Sequence, residues 1–148
     1  MPNVWIENKT KVKINERALA RYAASALEAV KGWKDAELSI ILVGDKRIQS
    51  LNARWRGKDR PTDVISFPMD GVAPPAPGET LVVGDIVIGI RRAIADAAEE
   101  GVLLDAKLRE LVVHSVLHLM GHDHETDEQA RAMETRRRSL LKAMERRA

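Results

Sequence analysis

The sequence predicts an α+β fold, a single domain in which a small mixed sheet packs against several helices. Three observations predict it. Strand-like segments are concentrated in the first two thirds of the chain, amphipathic helical patterns dominate the last third, and 148 residues with 45% hydrophobic content suffice for one core. We therefore expect residues 1–148 to form one domain.

The first elements alternate between strand and helix. Residues 4–8, VWIEN, predict a short strand, and residues 37–43, ELSIILV, predict a buried one. Between them, residues 15–31 predict an amphipathic helix with Asn15 as its N-cap. The apolar face of this helix consists of Leu19, Tyr22, Ala26, Leu27 and Val30.

The middle of the chain continues the alternation. The segment DKRIQSLNARWRG predicts a helix with Asp45 near its start and Gly57 past its end. DVISF (63–67) and DIVIGI (85–90) predict strands. The segment 70–80 between these strands is rich in proline and glycine, which predicts an exposed and mobile loop.

Helices fill the last third. They are predicted over residues 91–100 and 104–120, and from Asp127 to the C-terminal region. In the second of these helices, apolar spacing predicts a buried stripe of Leu104, Leu108, Leu111, Val112, Ser115 and Leu119. The terminal helix is expected to bury Met133, Leu140, Leu141 and Met144.

All four histidines of the chain fall within the eleven-residue segment HSVLHLMGHDH. His114 and His118 are four residues apart, so on a helix they lie one turn apart on the same face. Gly121 is placed to end that helix in the left-handed conformation, which lets His124 return toward the pair. Three neutral imidazoles suit zinc, although nickel, copper and iron also accept them. The spacing therefore predicts one metal site, formed by His114, His118 and His124 at the end of this helix.

The fourth coordination position decides what kind of metal site this is. The chain has no cysteine, a common ligand of closed structural zinc sites, so three histidines favour a catalytic site with an open position. There a metal lowers the pKa of bound water or polarises a phosphoryl or carbonyl oxygen. Closure by His122, Asp123 or another carboxylate is the alternative, and His122 equally suits a contact with substrate, with solvent or within the turn. Asp123 and Asp85 are candidates to orient the imidazoles.

Basic residues are unevenly distributed, with a net charge of only +2. One basic stretch is RWRGKDR, from Arg54 to Arg60, and the other is the tail from Arg131 onward. Such patches attract phosphates, although a solvated helix face explains the tail equally well. An arginine beside a metal would clamp a phosphodiester. Taken alone, however, the first stretch is more typical of a solvated turn, with Asp63 capping it or pairing with an arginine.

Three motifs in this order, LNARWRGKDRPTDVISFP, GDIVI and HSVLHLMGHDH, resemble the YbeY family of bacterial rRNA-maturation endoribonucleases, and the resemblance extends over nearly the whole chain. It implies a small α+β domain with one metal ion, usually zinc, on His114, His118 and His124. It also implies a functional arginine at Arg56 and action on single-stranded RNA, in 16S rRNA 3′-end maturation and ribosome quality control.

This sequence departs from the commonest family form at two positions, with Ser115 where many members have glycine and His122 where many have tyrosine. Ser115 also stands where an HExxH zinc peptidase carries its general-base glutamate, which counts against ordinary zinc proteolysis.

The leading hypothesis is a zinc-dependent endoribonuclease that is specific for single strands. His114 and Arg56 are its expected catalytic residues, with Arg56 steadying the scissile phosphate. The expected partners are single-stranded RNA, rRNA and ribosomal particles, with no DNA and no membrane. Two alternatives are a ribosome-associated RNA-binding factor with a structural metal, and a zinc hydrolase acting on peptides or small esters.

The expected location is the cytoplasm. The chain has no cysteine for disulfides, and its N-terminus lacks the apolar run of a signal peptide. No segment approaches the roughly 18 apolar residues that a membrane-spanning helix requires, which excludes membrane insertion.

Overall fold

Strands and helices alternate as far as the third strand in the computed structural model, which describes residues 1–69 and 79–147. A fourth strand and three consecutive helices follow. In chain order the elements are β1 (Asn3–Asn8), α1 (Glu16–Glu28), β2 (Glu37–Val43), α2 (Asp45–Arg56), β3 (Val64–Pro68), β4 (Val82–Gly89), α3 (Ile90–Glu100), α4 (Leu104–Leu119) and α5 (Asp127–Arg147). The loop expected at 70–80 lies outside the described residues except for its last two positions.

The strands form a mixed sheet in the order β1-β2-β4-β3. The first three strands in this order are parallel, and β3 runs antiparallel to β4. Helices connect the parallel strands because a parallel pairing requires the chain to cross back over the sheet. The predicted α+β class with a small mixed sheet is confirmed, and β3 forms the sheet edge nearest to the histidine helix α4.

Helix α1 begins where it was predicted to begin. The Asn15 side chain accepts a hydrogen bond of 3.0 Å from the Ala18 N–H, which satisfies one of the free donors in the first turn. The helix ends at Glu28, so the predicted extension to residue 31 was wrong. Val30 is buried as expected, but it reaches the core from a turn in which its N–H donates to the Leu27 carbonyl.

Strand β4 is longer than predicted and begins at Val82 rather than at Asp85. Its pairing with β2 shifts register near its start, where Gly84 has a φ of +145°. A Cβ at Gly84 would collide with the backbone carbonyl of Phe67 and lie 2.9 Å from a Leu119 methyl group. Glycine at this position therefore permits the close approach of β3 and α4 to β4.

The two faces of the sheet are covered unequally. Helices α1 and α4 pack on one face, and α5 packs against both of these helices. Together they enclose the larger core, which includes Leu38 and Ile40 of β2. Helix α2 covers the other face, where Ile48 packs against Ile65 and Val87. In the part of the chain that is described, no helix is long and apolar enough to cross a membrane.

Helix α4 lies at the centre of the larger core. Its buried residues are Lys107, Leu108, Leu111, Val112, Val113, Ser115, Val116, Leu117 and Leu119. The predicted stripe is therefore buried except for Leu104, which is half-buried, and the apolar surface extends around more of the helix than the stripe alone. Consequently the rotation of α4 about its axis is fixed by contacts with helices as well as with the sheet.

We expect Gly84→Ala to lower the free energy of unfolding by about 3–5 kcal/mol, because it combines an unfavourable φ with a collision in the core. Gly101→Ala is the matched control, since Gly101 also has a positive φ of +71° but no heavy atom within 4 Å of an added Cβ. That variant is expected to lose about 1 kcal/mol. Urea unfolding of both variants measures the difference, and equal losses would show that the close approach at Gly84 is unimportant.

Candidate metal centre

Helix α4 presents two of the histidines to a common point. His114 and His118 are half-buried near its C-terminal end, and their Nε2 atoms lie 2.9 Å apart. Their ring centroids are 4.5 Å apart, with the planes inclined at 76°. The four-residue spacing thus produces the neighbouring imidazoles that the sequence predicted.

A glycine-based reversal brings in the third histidine. Gly121 has a φ of +98°, and its N–H donates to the His118 carbonyl at 2.9 Å. The N–H of His122 donates to the Leu117 carbonyl at 3.0 Å, which completes the hydrogen-bond pattern of a Schellman motif. The chain then turns back, and the ring of His124 lies 5.7 Å from that of His114 and 5.4 Å from that of His118.

The three imidazoles fit the requirements of a zinc ion. One ring nitrogen from each of His114, His118 and His124 lies within 4.8 Å of the others. Two nitrogens bound to zinc at 2.0–2.1 Å stand roughly 3.3 Å apart in a tetrahedron, so small side-chain adjustments suffice. No fourth His, Cys, Asp or Glu within residues 1–69 and 79–147 joins this group. Three ligands and an open position are typical of catalytic rather than structural zinc.

Burial favours the neutral, metal-binding form of the His114 and His118 imidazoles by lowering their pKa values. It lowers the pKa of His114 to about 4, and the positive charges of His118, His124 and Arg56 contribute further. Burial likewise lowers the pKa of His118, although a hydrogen bond with the His122 backbone and the charge of Asp123 oppose the effect. A metal ion therefore has little competition from protons at His114 near neutral pH.

The two aspartates expected to orient the imidazoles have other contacts. The Asp123 carboxylate accepts a hydrogen bond of 2.8 Å from the His124 N–H and so shapes the turn. Asp85 lies in β4, in register with Phe67. Within the described chain, neither carboxylate forms a hydrogen bond with an imidazole, so these aspartates do not orient the rings directly.

A cavity of about 690 Å³ opens over the three histidines. Its walls are the end of α2, residues 62–68 and the turn 121–125. His122 also lines this cavity, but it does not belong to the group of three potential ligands.

Arg56 is the basic residue of the RWRGKDR stretch that lines the histidine cavity. It is exposed, and Gly57 ends α2 directly after it with a φ of +69°. Arg54 instead stacks on Trp55, with its guanidinium carbon 5.2 Å from the ring centroid, and Arg60 lines a separate cavity beside α3. Of the three arginines in this stretch, only Arg56 therefore lines the histidine cavity.

A buried lysine two turns before His114 was not predicted from the sequence. Lys107 is 6% exposed, and its Nζ lies 2.8 Å from a Glu100 oxygen and 3.5 Å from a Glu110 oxygen. Burial acts to lower the pKa of Lys107, but the two carboxylates outweigh it and the pKa is raised. The sequence did contain an indication that Lys107 lies near the site, because it stands seven residues before His114 and so on the same face of the helix.

Two aromatic residues on the cavity wall were also missed. Trp55 of α2 and Phe67 of β3 meet edge to face, with ring centroids 6.0 Å apart and planes at 82°. Both residues line the histidine cavity. Trp55 adjoins Arg56 in the sequence, which was the one local indication that an aromatic ring stands beside the site.

A family model described as "Endoribonuclease YbeY" matches residues 5–145. A relative of the same description from Paramagnetospirillum magneticum is 40% identical over 142 residues, covering 95% of this chain and 85% of the relative. Another, from Anaeromyxobacter dehalogenans, is 45% identical over 123 residues; the match covers 83% of this chain and only 62% of that longer relative.

A similar fold occurs in the solution structure of TM1509 from Thermotoga maritima. The TM-score is 0.62 at 28% sequence identity, and the match covers 95% of this chain and 88% of that one.

We expect zinc to stabilise the metal-free protein. At about 100 times its dissociation constant, a ligand adds about 2.7 kcal/mol, which corresponds to a rise in Tm of roughly 5–10 °C for a domain of this size. The rise should nearly vanish in His114→Ala, His118→Ala and His124→Ala, as measured by thermal unfolding with and without zinc.

His122→Ala is the matched control, because His122 lines the cavity outside the group of three ligands. It should keep the full zinc-dependent rise. Loss of the rise in His122→Ala together with its retention in His124→Ala would contradict this ligand set.

Proposed function

Since the chain belongs to the YbeY endoribonuclease family, we propose that it is a zinc-dependent endoribonuclease that cleaves single-stranded RNA. We further propose that it acts in 16S rRNA 3′-end maturation and ribosome quality control, on rRNA and ribosomal particles in the cytoplasm. The observation that carries the proposal is the group of three histidines, which no fourth candidate ligand joins among the described residues, in a cavity that also presents Arg56.

In this proposal His114, His118 and His124 hold the metal ion. When bound, such an ion would lower the pKa of a coordinated water or stabilise negative charge on a phosphoryl oxygen. The protein's own contribution is to keep His114 and His118 neutral and to present them from a buried helix, so that two of the three ligands are in place before RNA binds.

Arg56 would bind the scissile phosphate. Its guanidinium has a planar fork of donors that matches a phosphodiester, and it stays charged as negative charge builds on the oxygens. In the residues that the structure describes, no carboxylate pairs with Arg56, so its donors are available to substrate. His114 and Arg56 line the same cavity, so that in this proposal one residue holds the metal ion and the other binds the phosphate.

The two alternative functions have less support. A structural metal in an RNA-binding factor would call for a fourth protein ligand, and none joins the group among the described residues. Zinc proteolysis of the HExxH type would require a base at position 115, but Ser115 is fully buried in the core.

We expect His114→Ala to abolish cleavage of single-stranded RNA and Arg56→Ala to lower kcat/KM by roughly 100- to 1000-fold, as removal of one charge-stabilising donor does. Arg47→Ala is the matched control, because Arg47 is an exposed arginine of α2 that does not line the cavity. Highly purified wild-type and variant proteins should be compared on end-labelled RNA, with circular dichroism confirming that each is folded.

The ends of the RNA products identify the nucleophile in the same assay. Attack by water leaves linear phosphate termini, whereas attack by the substrate's 2′-hydroxyl leaves a cyclic phosphate. Full cleavage by both folded variants, His114→Ala and Arg56→Ala, would refute the proposed site.

A further inference from the structure

Trp55 exposes a large aromatic surface that the proposed chemistry does not use. The residue is 59% exposed, although it stands on the wall of the histidine cavity beside Arg56. A tryptophan ring left in water forgoes the free energy that burial would provide, so an exposed ring on a cavity wall offers apolar surface to a bound ligand.

The indole is held in position by two neighbours. The guanidinium carbon of Arg54 lies 5.2 Å from the indole centroid, and Phe67 meets the indole edge to face at 6.0 Å. One neighbour comes from the same helix and the other from β3, across the cavity wall. A ring fixed from two elements loses little conformational entropy when a flat ligand stacks on it.

Trp55 has basic neighbours along the chain. Arg54, Arg56 and Lys58 follow one another at alternate positions, and no ion pair to any of them occurs in the described parts of the chain. An aromatic ring with unpaired cations on either side combines the two features by which proteins bind single-stranded nucleic acids, base stacking and phosphate attraction.

We propose that Trp55, supported by Phe67, is a stacking platform for a nucleobase of the RNA next to the phosphate that Arg56 binds. The proposal rests on the endoribonuclease function above and adds a specificity-determining residue to it. A cavity of about 690 Å³ lies within the usual range for ligand sites and accommodates a base beside a phosphate.

The platform explains a preference for single strands. In a duplex both faces of each base are already stacked on neighbours, whereas an unpaired base can leave the strand and stack on a protein ring. An apolar protein partner is the competing occupant of Trp55. The flanking cations and the shared cavity with Arg56 favour the nucleobase.

The test compares Trp55→Ala and Trp55→Phe with wild type. Fluorescence anisotropy measures binding of the EDTA-treated proteins to a labelled single-stranded RNA, and steady-state kinetics of the zinc-loaded proteins gives kcat and KM. Trp5→Ala is the matched control, because Trp5 is 63% exposed but lies on β1, at the opposite edge of the sheet from β3.

Trp55→Ala should weaken single-strand binding roughly 5- to 100-fold and raise KM in proportion. Its kcat should change little, because stacking contributes equally to the ground state and the transition state. Trp55→Phe should lose less, Trp5→Ala should match wild type, and binding to an RNA duplex should be the same in all four proteins.

A second series uses RNAs with one abasic site moved along the strand. At one position, removing the base should reduce wild-type affinity to that of Trp55→Ala, and the variant should lose nothing further there. If Trp55→Ala loses the same factor against every abasic RNA, no particular base stacks on Trp55 and the platform is refuted.

The outcomes also separate this inference from the proposed function. If wild type cleaves RNA and Trp55→Ala binds and cleaves it equally well, the platform is refuted and the proposed nuclease function stands. An apolar protein partner is then the remaining occupant for Trp55. If wild type neither binds nor cleaves RNA, both proposals fail together.

Discussion

The burial of helix α4 is the constraint on which the candidate site depends. Most of its circumference is covered by helices and by the sheet, so it cannot rotate without disrupting the core. His114 and His118 therefore point into the cavity because of contacts that other residues make. The positions of the two imidazoles are therefore set by the packing of buried neighbours on the same helix, such as Leu111 and Leu117.

The positive charges near the site fall into two groups, one buried and one exposed. Lys107 lies inside the fold, where an unpaired ammonium group would be unfavourable, and Glu100 and Glu110 neutralise it. Arg56 lies at the rim, where water solvates its charge and it can remain unpaired at little energetic cost. The lysine therefore contributes to the internal structure, whereas the arginine retains donors for an incoming anion. Proximity to the histidines alone does not distinguish these two roles.

The sequence predicted what depends on local geometry. The histidine pair follows from helical periodicity, and the reversal at Gly121 follows from glycine's tolerance of positive φ. The ends of the elements were less predictable. Helix α1 stops at Glu28, and Val30 is buried from the turn that follows. Strand β4 starts at Val82 and includes Gly84, where β3 approaches too closely for a side chain. The meeting of Trp55 with Phe67 depends on strand order, and helical or strand periodicity carries no information about which strand lies at an edge.

The three histidines differ in how firmly the chain holds them. His114 and His118 belong to a buried helix, whereas His124 is exposed and follows the turn at Gly121. Ordering a surface segment costs conformational entropy that a helix in the core has already lost on folding. In a metal-loaded protein, the bond to His124 would therefore be the last to form when an ion enters and the first to break when it leaves. The rate of metal exchange would then depend on the turn 121–125, even though the affinity would depend on all three imidazoles.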